Sequence, residues 1–273
     1  MSFNEYEIST QASRPVELYV FTYEGEIFRF TSYGEDIEFD GNTYTSVRLE
    51  RSDIEETGDI AQSDLNLTTE QSFDMADFFN PYPPSGVLQL GVYRYQADDP
   101  SEEVATLWLG RVLNVTWPQN SAILHCESVF TGLKRNGLRR PYGRNCPHVL
   151  YGAECNSAQI AHQHDVTVDT TDGTSIISVE FASFADGWFG GGKIEWTDDL
   201  TNRVHRRGIR SHAGTTVIVS HPITDMPNGA TITIFDGCDR TPTACETIHA
   251  NMVNYGGFLG MQKHNPFGTS SVF

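Results

Sequence analysis

The sequence predicts a mainly β fold made of two antiparallel β-rich domains, each a barrel or a sandwich. Short segments rich in Val, Phe, Tyr and Thr recur along the chain, with Gly- and Asp-containing turn signals between them. Segments such as EIFRFTS alternate apolar and polar residues, as half-buried strands require. A chain of 273 residues is long enough for two ordinary domains, each with its own core.

The first predicted domain covers residues 1–131. Its predicted strands are residues 16–23, 26–32, 42–50, 87–95, 105–117 and 122–129. Residues 72–79 fit a short helix that ends before Pro81, because proline cannot continue a helix.

The second predicted domain covers residues 132–273. It begins where the alternation stops and a basic stretch follows. Its predicted strands are residues 165–168, 175–181, 193–197, 204–211, 215–220 and 231–235.

A short C-terminal helix is predicted over residues 243–254. Apolar side chains recur there at helical spacing, and Gly256 and Gly257 supply a stop signal. The apolar positions are Ala244, Ile248, Met252 and Tyr255.

Composition and charge exclude several functional classes. The content of 11% aromatic and 20% charged residues is that of a folded globular protein. We expect no membrane span, because no run of about 18 apolar residues occurs, and no signal peptide. The 23 acidic and 6 basic side chains of residues 1–130 give a charge of −17, against −1 for the rest. Because nucleic-acid phosphates would be repelled, we expect no direct nucleic-acid binding.

Four cysteines form two pairs in the second half, Cys146 with Cys155 and Cys238 with Cys245. They could bind a metal or an iron–sulfur cluster, or form two disulfides. A reducing cytoplasm, expected without a signal peptide, favours metal ligation. Zinc knuckles usually have two to four residues between paired thiols, whereas these pairs have eight and six. Cys126, in the strand ILHCESV, is expected to pack as a small apolar side chain.

Loops of this length can surround an object larger than one ion, such as an iron–sulfur cubane. A thiolate-bound cluster is negative, and basic side chains just before Cys146 would offset that charge. They are Lys134, Arg135, Arg139, Arg140 and Arg144.

Other motifs give no active site, and we predict that the chain is not an enzyme. GWFGGGK, at residues 187–193, lacks the Ser or Thr and the following helix of a phosphate-binding loop, so we predict a glycine-rich β turn. His162 and His164 have no acidic partner nearby in the sequence, which favours a packing or surface role. Paired acids such as Glu55 and Glu56 fit solvated loops better than acid–base catalysis.

The second half resembles the C-terminal domain of phage tail-tip proteins, the lambda-type tail-tip protein L and its relatives. The motifs that carry this resemblance are CPHVLYGAECN at 146–156, GGGKIEW at 190–196, DGCDRTPTAC at 236–245 and NYGGFLGMQKHNPF at 254–267. The first half looks like the same family's β-rich N-terminal tail-assembly domain. Asn156 stands where related sequences often have Gly, and Asn also tolerates a left-handed turn.

The resemblance implies a structural component of the virion tail tip, made in the host cytoplasm. It also implies a 4Fe–4S cluster, whose ligands in this chain would be Cys146, Cys155, Cys238 and Cys245. Proteins of this kind sit as trimers or rings between the distal tail protein and the central hub protein. Two other classes stay open: a zinc- or disulfide-stapled host-attachment module, and a redox iron–sulfur enzyme.

Overall fold

A computed structural model describes residues 3–9, 13–54, 64–80, 83–100, 102–134, 137, 140, 142–198, 203–223 and 226–261. The chain divides into two compact units, Met1–Gly137 and Leu138–Phe273. Among the described residues, each unit contains one β-sheet, and helices are few and short. The predicted mainly β fold is confirmed. No helix among the described residues is long and apolar enough to cross a membrane.

The first unit is a nine-stranded sheet in the order β3-β4-β2-β1-β7-β8-β9-β6-β5. Its strands are β1 Pro15–Tyr23, β2 Glu26–Thr31, β3 Ile37–Phe39, β4 Asn42–Ser46, β5 Leu49–Arg51, β6 Leu65–Glu70, β7 Gln89–Gln96, β8 Val104–Thr116 and β9 Ser121–Ser128. The helices are α1 Phe3–Glu7 and α2 Asp74–Asp77, and a 3-10 helix, Val129–Lys134, follows β9.

The sheet of the first unit curls until its two ends approach each other. Strands β4 and β5 lie near opposite ends of the strand order, yet only residues 47 and 48 separate them. Three backbone steps span at most about 11 Å, so the two ends must be neighbours. Because the chain passes from one end of the sheet to the other at residues 47 and 48, the single strand predicted over residues 42–50 is divided into β4 and β5. β4 pairs in parallel with β2, and β5 pairs with β6, so one pair departs from the predicted antiparallel arrangement.

The core of the first unit follows from side-chain alternation. Tyr19 and Phe21 of β1 point inward with Leu124 and Cys126 of β9. Helix α2 buries Met75 completely against them. The expected apolar packing of Cys126 is confirmed, since it is 3% exposed.

An ion-pair network is built around Glu17 of β1. The Arg51 Nη2 donates to Glu17 Oε1 at 2.7 Å, and the Arg94 Nη2 donates to the same oxygen at 2.9 Å. The Tyr19 hydroxyl donates to Glu17 Oε2 at 2.8 Å. Burial alone would raise the pKa of Glu17, but these hydrogen bonds together lower it to about 2.

The second unit is a seven-stranded sheet in the order β10-β16-β13-β14-β15-β12-β11. Its strands are β10 Gln163–Thr167, β11 Thr170–Asp172, β12 Ser175–Ile177, β13 Lys193–Thr197, β14 Val204–Ala213, β15 Thr216–Val219 and β16 Thr231–Phe235. The helical elements are α3 Pro242–Thr247 and three 3-10 helices, Gln159–His162, Val179–Ser183 and Met252–Asn254. Its core includes Ile176, Phe181, Phe189, Ile194, Val217 and Ile234.

Two predicted elements of the second unit are shorter than expected. The strand predicted over residues 175–181 ends at Ile177, because the Ser178 side chain caps a 3-10 helix. The helix predicted over residues 243–254 ends at Thr247. Ala250 has a positive φ of 47°, and the Asn251 N–H turns back to the Cys245 carbonyl, so the chain cannot continue as one helix.

We predict that Glu17→Gln lowers the free energy of unfolding of the first unit by roughly 2 kcal/mol at pH 7. The folded-state pKa of Glu17 lies below its usual 4.5. The carboxylate therefore stabilises the fold above about pH 4.5, and this stabilisation is lost as the pH falls towards about 2. Urea unfolding of the full chain across this range measures both effects. Glu38→Gln, at an exposed position of β3, is the control, and equal acid sensitivity of wild type and Glu17→Gln would contradict the prediction.

Candidate metal centre

The four paired cysteines lie on loops and one short helix of the second unit. Cys146 and Cys155 bound one loop, Cys238 follows β16 after two residues, and Cys245 lies in α3. All four are free thiols. Cys245 is buried and the other three are half-buried.

Hydrogen bonds join the first cysteine loop to the segment that carries the second pair. The Cys146 N–H donates to the Arg240 carbonyl at 2.9 Å. The Asn251 side-chain amide donates to the Cys155 carbonyl at 2.6 Å. The Tyr255 hydroxyl contacts both sides, donating to the Arg144 carbonyl at 2.6 Å and reaching the Arg240 carbonyl at 3.2 Å. Two segments about 90 residues apart in sequence are therefore neighbours.

Three of the four sulfur atoms accept a hydrogen bond from nitrogen. The Arg240 N–H donates to Cys238 Sγ at 3.4 Å, and the Gly256 N–H donates to Cys146 Sγ at 3.4 Å. The Asn251 side-chain amide lies 3.8 Å from Cys155 Sγ. Hydrogen bonds of this kind orient sulfur ligands and tune a metal group that they bind.

Two of the four thiols, Cys238 and Cys245, have raised pKa values. Burial raises the pKa of Cys245, and the neighbouring Cys238, Cys146 and Cys155 raise it further. The pKa of Cys238 is raised by burial first and also by Cys146 and Cys155, against the lowering effect of the Arg240 N–H. Ionising Cys238 and Cys245 is therefore unfavourable unless a positive group offsets the charge.

The cysteines do not form a closed site for one ion. Within the described parts of the chain, no three His, Cys, Asp or Glu side chains converge tightly enough to hold a single metal ion. A zinc ion needs thiolates about 4 Å apart, because a Zn–S bond is about 2.3 Å long. The four-cysteine site of the predicted fold stays a prediction.

Two residues of the basic stretch lie against the loops next to the cysteines. Arg140 donates to the Gly256 carbonyl and to the His148 ring, each at 3.3 Å. Arg144 donates to the Met261 carbonyl at 3.2 Å. Lys134 ends the 3-10 helix after β9. Arg135 and Arg139 lie outside the described residues. So do Glu55, Glu56 and the part of the motif NYGGFLGMQKHNPF beyond residue 261.

Asn156 has a φ of +52°, which lies in the left-handed region. Its N–H donates to the Gly152 carbonyl at 2.8 Å, which closes the turn after Cys155. The expectation that Asn serves at this position in place of Gly is confirmed.

The glycine-rich motif forms turns that lead into β13, so the predicted turn is confirmed and no phosphate-binding helix follows. Its backbone packs directly on the segment before Cys238. A Cβ atom on Gly237 would overlap the Gly190 carbonyl, and one on Gly192 would overlap the Phe235 carbonyl. Gly191 has a φ of +80°, and a Cβ there would lie 2.8 Å from the Cys238 carbonyl. Glycine is required at these positions because two backbones meet.

Sequence reasoning missed the acidic partner of His162 and His164. Both rings donate to the carboxylate of Asp236, at 3.0 and 2.9 Å. Their packing role is confirmed, but the partner lies 74 and 72 residues away in sequence. No local pattern could have revealed it, since the pairing depends on the antiparallel register of β10 and β16.

The β-rich fold and the paired cysteines are compatible with the phage family proposed from sequence, and comparison with known proteins supports that class. Residues 17–158, just over half of the chain, match the family model described as "Baseplate hub protein, N-terminal attachment domain". The chain belongs to this family. Residues 187–265 match a second model, described as "Phage conserved hypothetical protein BR0599". The predicted location in the phage particle, at the tail tip, is confirmed. The likeness to lambda-type protein L in particular stays a prediction.

Individual proteins of known sequence or structure are also similar to this chain. A chain in the virion of a native gene transfer agent particle aligns with a TM-score of 0.77, covering 96% of this chain and 92% of that one. At 15% identity this likeness shows a shared fold. An uncharacterized protein of Xylella fastidiosa (strain 9a5c) is 28% identical over 182 residues. That alignment covers 60% of this chain but only 37% of the relative.

We predict that Gly237→Ala destabilises the second unit by about 3 kcal/mol, because the added methyl group would displace the Gly190 backbone. Gly208→Ala is the control, since the nearest atom to its Cβ would be Ser220 Oγ at 3.8 Å, and its effect should stay within about 0.5 kcal/mol. Urea unfolding of the full chain measures both. Equal stability of the two variants would show that the close approach does not constrain the fold.

Proposed function

We propose that this chain is a structural, non-enzymatic component of the phage tail tip that links the distal tail ring to the central hub or host-recognition protein. We further propose that a 4Fe–4S cluster, bound by Cys146, Cys155, Cys238 and Cys245, stabilises its second unit. The observation that carries the cluster proposal is that hydrogen bonds join the two distant segments that hold the four free thiols, from the Cys146 N–H to the Arg240 carbonyl and from the Asn251 amide to the Cys155 carbonyl.

The residues present fit such a cluster. Four thiols are the ligand set of a 4Fe–4S cluster. The N–H groups of Arg240 and Gly256 and the Asn251 amide supply hydrogen bonds to three sulfurs. Hydrogen bonds of this kind tune and stabilise sulfur ligands. Arg140 and Arg144 hold the neighbouring loops and add positive charge beside a negative group.

The role of the cluster would be structural. When bound, it would cross-link loops that the chain itself joins only through hydrogen bonds, so that binding free energy becomes folding free energy. Hydrogen bonds from the protein's own side chains hold the cysteine segments in place. Tyr255 holds the Arg144 and Arg240 backbones together, and Asn251 holds Cys155.

A zinc- or disulfide-stapled host-attachment module is the second candidate. The free thiols weigh against disulfides, and the lack of a compact single-ion site among the described residues weighs against zinc. A redox iron–sulfur enzyme is the third candidate. It would need an open position at the cluster, whereas four thiols are available to ligate all four irons.

Two features support attachment to other tail proteins. The matched family is described as an attachment domain, and the acidic first half would suit a basic neighbouring surface. In the second unit, large apolar side chains are exposed in the segments around the cysteines, as they are at many protein contacts. Val253 is 92% exposed and Val149 is 72% exposed.

We predict that replacing any one of the four paired cysteines with Ser abolishes or sharply reduces bound iron and lowers the melting temperature of the second unit. The reason is that hydroxyl groups replace thiolates as iron ligands poorly. Anaerobic purification, iron and sulfide analysis and the visible absorption spectrum measure the loss. Zinc analysis of the same samples separates the second candidate.

Cys126→Ala is the matched control. Cys126 lies in the core of the first unit, and burial raises the pKa of its thiol to about 12. This variant should keep full iron content. Full iron occupancy in a Cys146→Ser, Cys238→Ser double variant would exclude the proposed ligand set.

We predict that a phage lacking this gene makes incomplete, non-infectious tails, and that a plasmid copy of the gene restores them. The isolated chain should be largely monomeric and should oligomerise only with its tail partners, because its acidic half repels its own copies. Electron microscopy of tails and light scattering of the purified chain give the readouts. Intact, infectious tails from the deletion would rule out an essential role at the tip.

A further inference from the structure

Every hydrogen-bonding atom of Asp236 is engaged. Its carboxylate is 5% exposed. Oδ1 accepts from the Trp188 indole at 2.6 Å and from His164 Nε2 at 2.9 Å, and Oδ2 accepts from His162 Nδ1 at 3.0 Å. The backbone N–H donates to the His162 carbonyl at 3.0 Å, and the carbonyl accepts from the Tyr151 hydroxyl at 2.7 Å. The residue is therefore fixed from five directions.

The partners of Asp236 come from three separate parts of the second unit. His162 ends the 3-10 helix that precedes β10, and His164 is the second residue of β10, which pairs with β16. Trp188 belongs to the glycine-rich turns that precede β13. Tyr151 lies in the loop between Cys146 and Cys155. One side chain and its backbone thus connect the sheet, the glycine-rich turns and the first cysteine loop.

The residue after Asp236 is held in the same way. The Gly237 N–H donates to the Trp188 carbonyl at 2.9 Å, and His249 Nε2 donates to the Gly237 carbonyl at 2.9 Å. The His249 ring packs on the His162 ring, with centroids 4.6 Å apart. The next residue is Cys238.

We propose that Asp236 is the positioning residue of the cysteine site. Its carboxylate fixes the segment that presents Cys238, and its carbonyl fixes Tyr151 and the loop of Cys155, before any metal group binds. A buried carboxylate must be satisfied by hydrogen bonds, and bonds to a charged acceptor are stronger than neutral ones. A buried residue whose hydrogen-bonding atoms are all engaged favours a single arrangement of the backbone around it. The link to cluster binding rests on the function proposed above, but the positioning of the loop does not.

Trypsin cleavage after Arg240 tests the positioning without any cofactor. Arg240 is exposed. Its N–H donates to Cys238 Sγ, and its carbonyl accepts from the Cys146 N–H and the Tyr255 hydroxyl. In metal-free full-length protein, Asp236→Asn should speed this cleavage at least tenfold. Trp188→Phe, which removes a single donor, should speed it several-fold and serves if Asp236→Asn does not fold.

Ile232→Val is the matched control, because it removes one buried methyl group from the same strand, β16. It should leave cleavage after Arg240 unchanged. Wild-type cleavage rates in both Asp236→Asn and Trp188→Phe would overturn the proposal. So would equal acceleration in Ile232→Val, since that would show general loosening of the unit.

A second measurement follows cluster retention in protein reconstituted with iron and sulfide. The half-life of the visible absorption in the presence of a chelator should fall several-fold in Asp236→Asn and Trp188→Phe and stay unchanged in Ile232→Val. Equal half-lives in all four proteins would overturn the link between positioning and retention. If wild-type protein binds no iron, the proposed cluster fails, and the cleavage experiment still decides the role of Asp236.

Discussion

The arrangement of the second unit depends on how the backbone leaves β16. Residues 235–238 pass so close to the glycine-rich turns that side chains are excluded at Gly191, Gly192 and Gly237. This contact sets the direction in which Cys238 emerges. It also brings Trp188 within 2.6 Å of Asp236. Two motifs that are about 45 residues apart in sequence, GWFGGGK and DGCDRTPTAC, are therefore the two sides of one packed junction.

The two units bury a carboxylate in different ways. In the first unit, Glu17 meets two guanidinium groups, so its charge is compensated by permanent cations and its pKa falls to about 2. In the second unit, Asp236 is held by one indole and two imidazoles. An indole N–H donates without titrating, and an imidazole can donate in its neutral form. The first arrangement stabilises through charge, and the second mainly through the geometry of its donors.

Much of the fold could be predicted because strand residues alternate with period two. The alternating burial of β9 is a direct example. The break between β4 and β5 could not be predicted, because it arises from the closure of the sheet and not from a local signal. Strand β6 was missed although its residues alternate, and the end of α3 depends on a bond from Asn251 back to Cys245.

For the candidate site, the sequence revealed the cysteine pairs but not what surrounds them. The pairing of His162 and His164 with Asp236 requires strand register, and the donors to sulfur come from Gly256, Arg240 and Asn251. Every residue except proline has a backbone N–H, so residue type does not reveal which of these groups donate to sulfur. The candidate ligands are thus readable from the sequence, whereas the hydrogen bonds that would orient them are not.

The distribution of secondary structure explains why a cross-link would matter here. Residues 142–162 and 236–261 contain no β-strand, and α3 with two 3-10 helices is their only regular structure. These segments have few ladder hydrogen bonds and expose apolar side chains such as Val149 and Val253. Ordering such loops costs conformational entropy that a small core offsets poorly. Each cysteine pair also falls in a different family model, one ending at residue 158 and the other beginning at residue 187. A group bound by all four thiols would join these two parts of the chain in segments that the hydrogen bonds of the sheet do not stabilise.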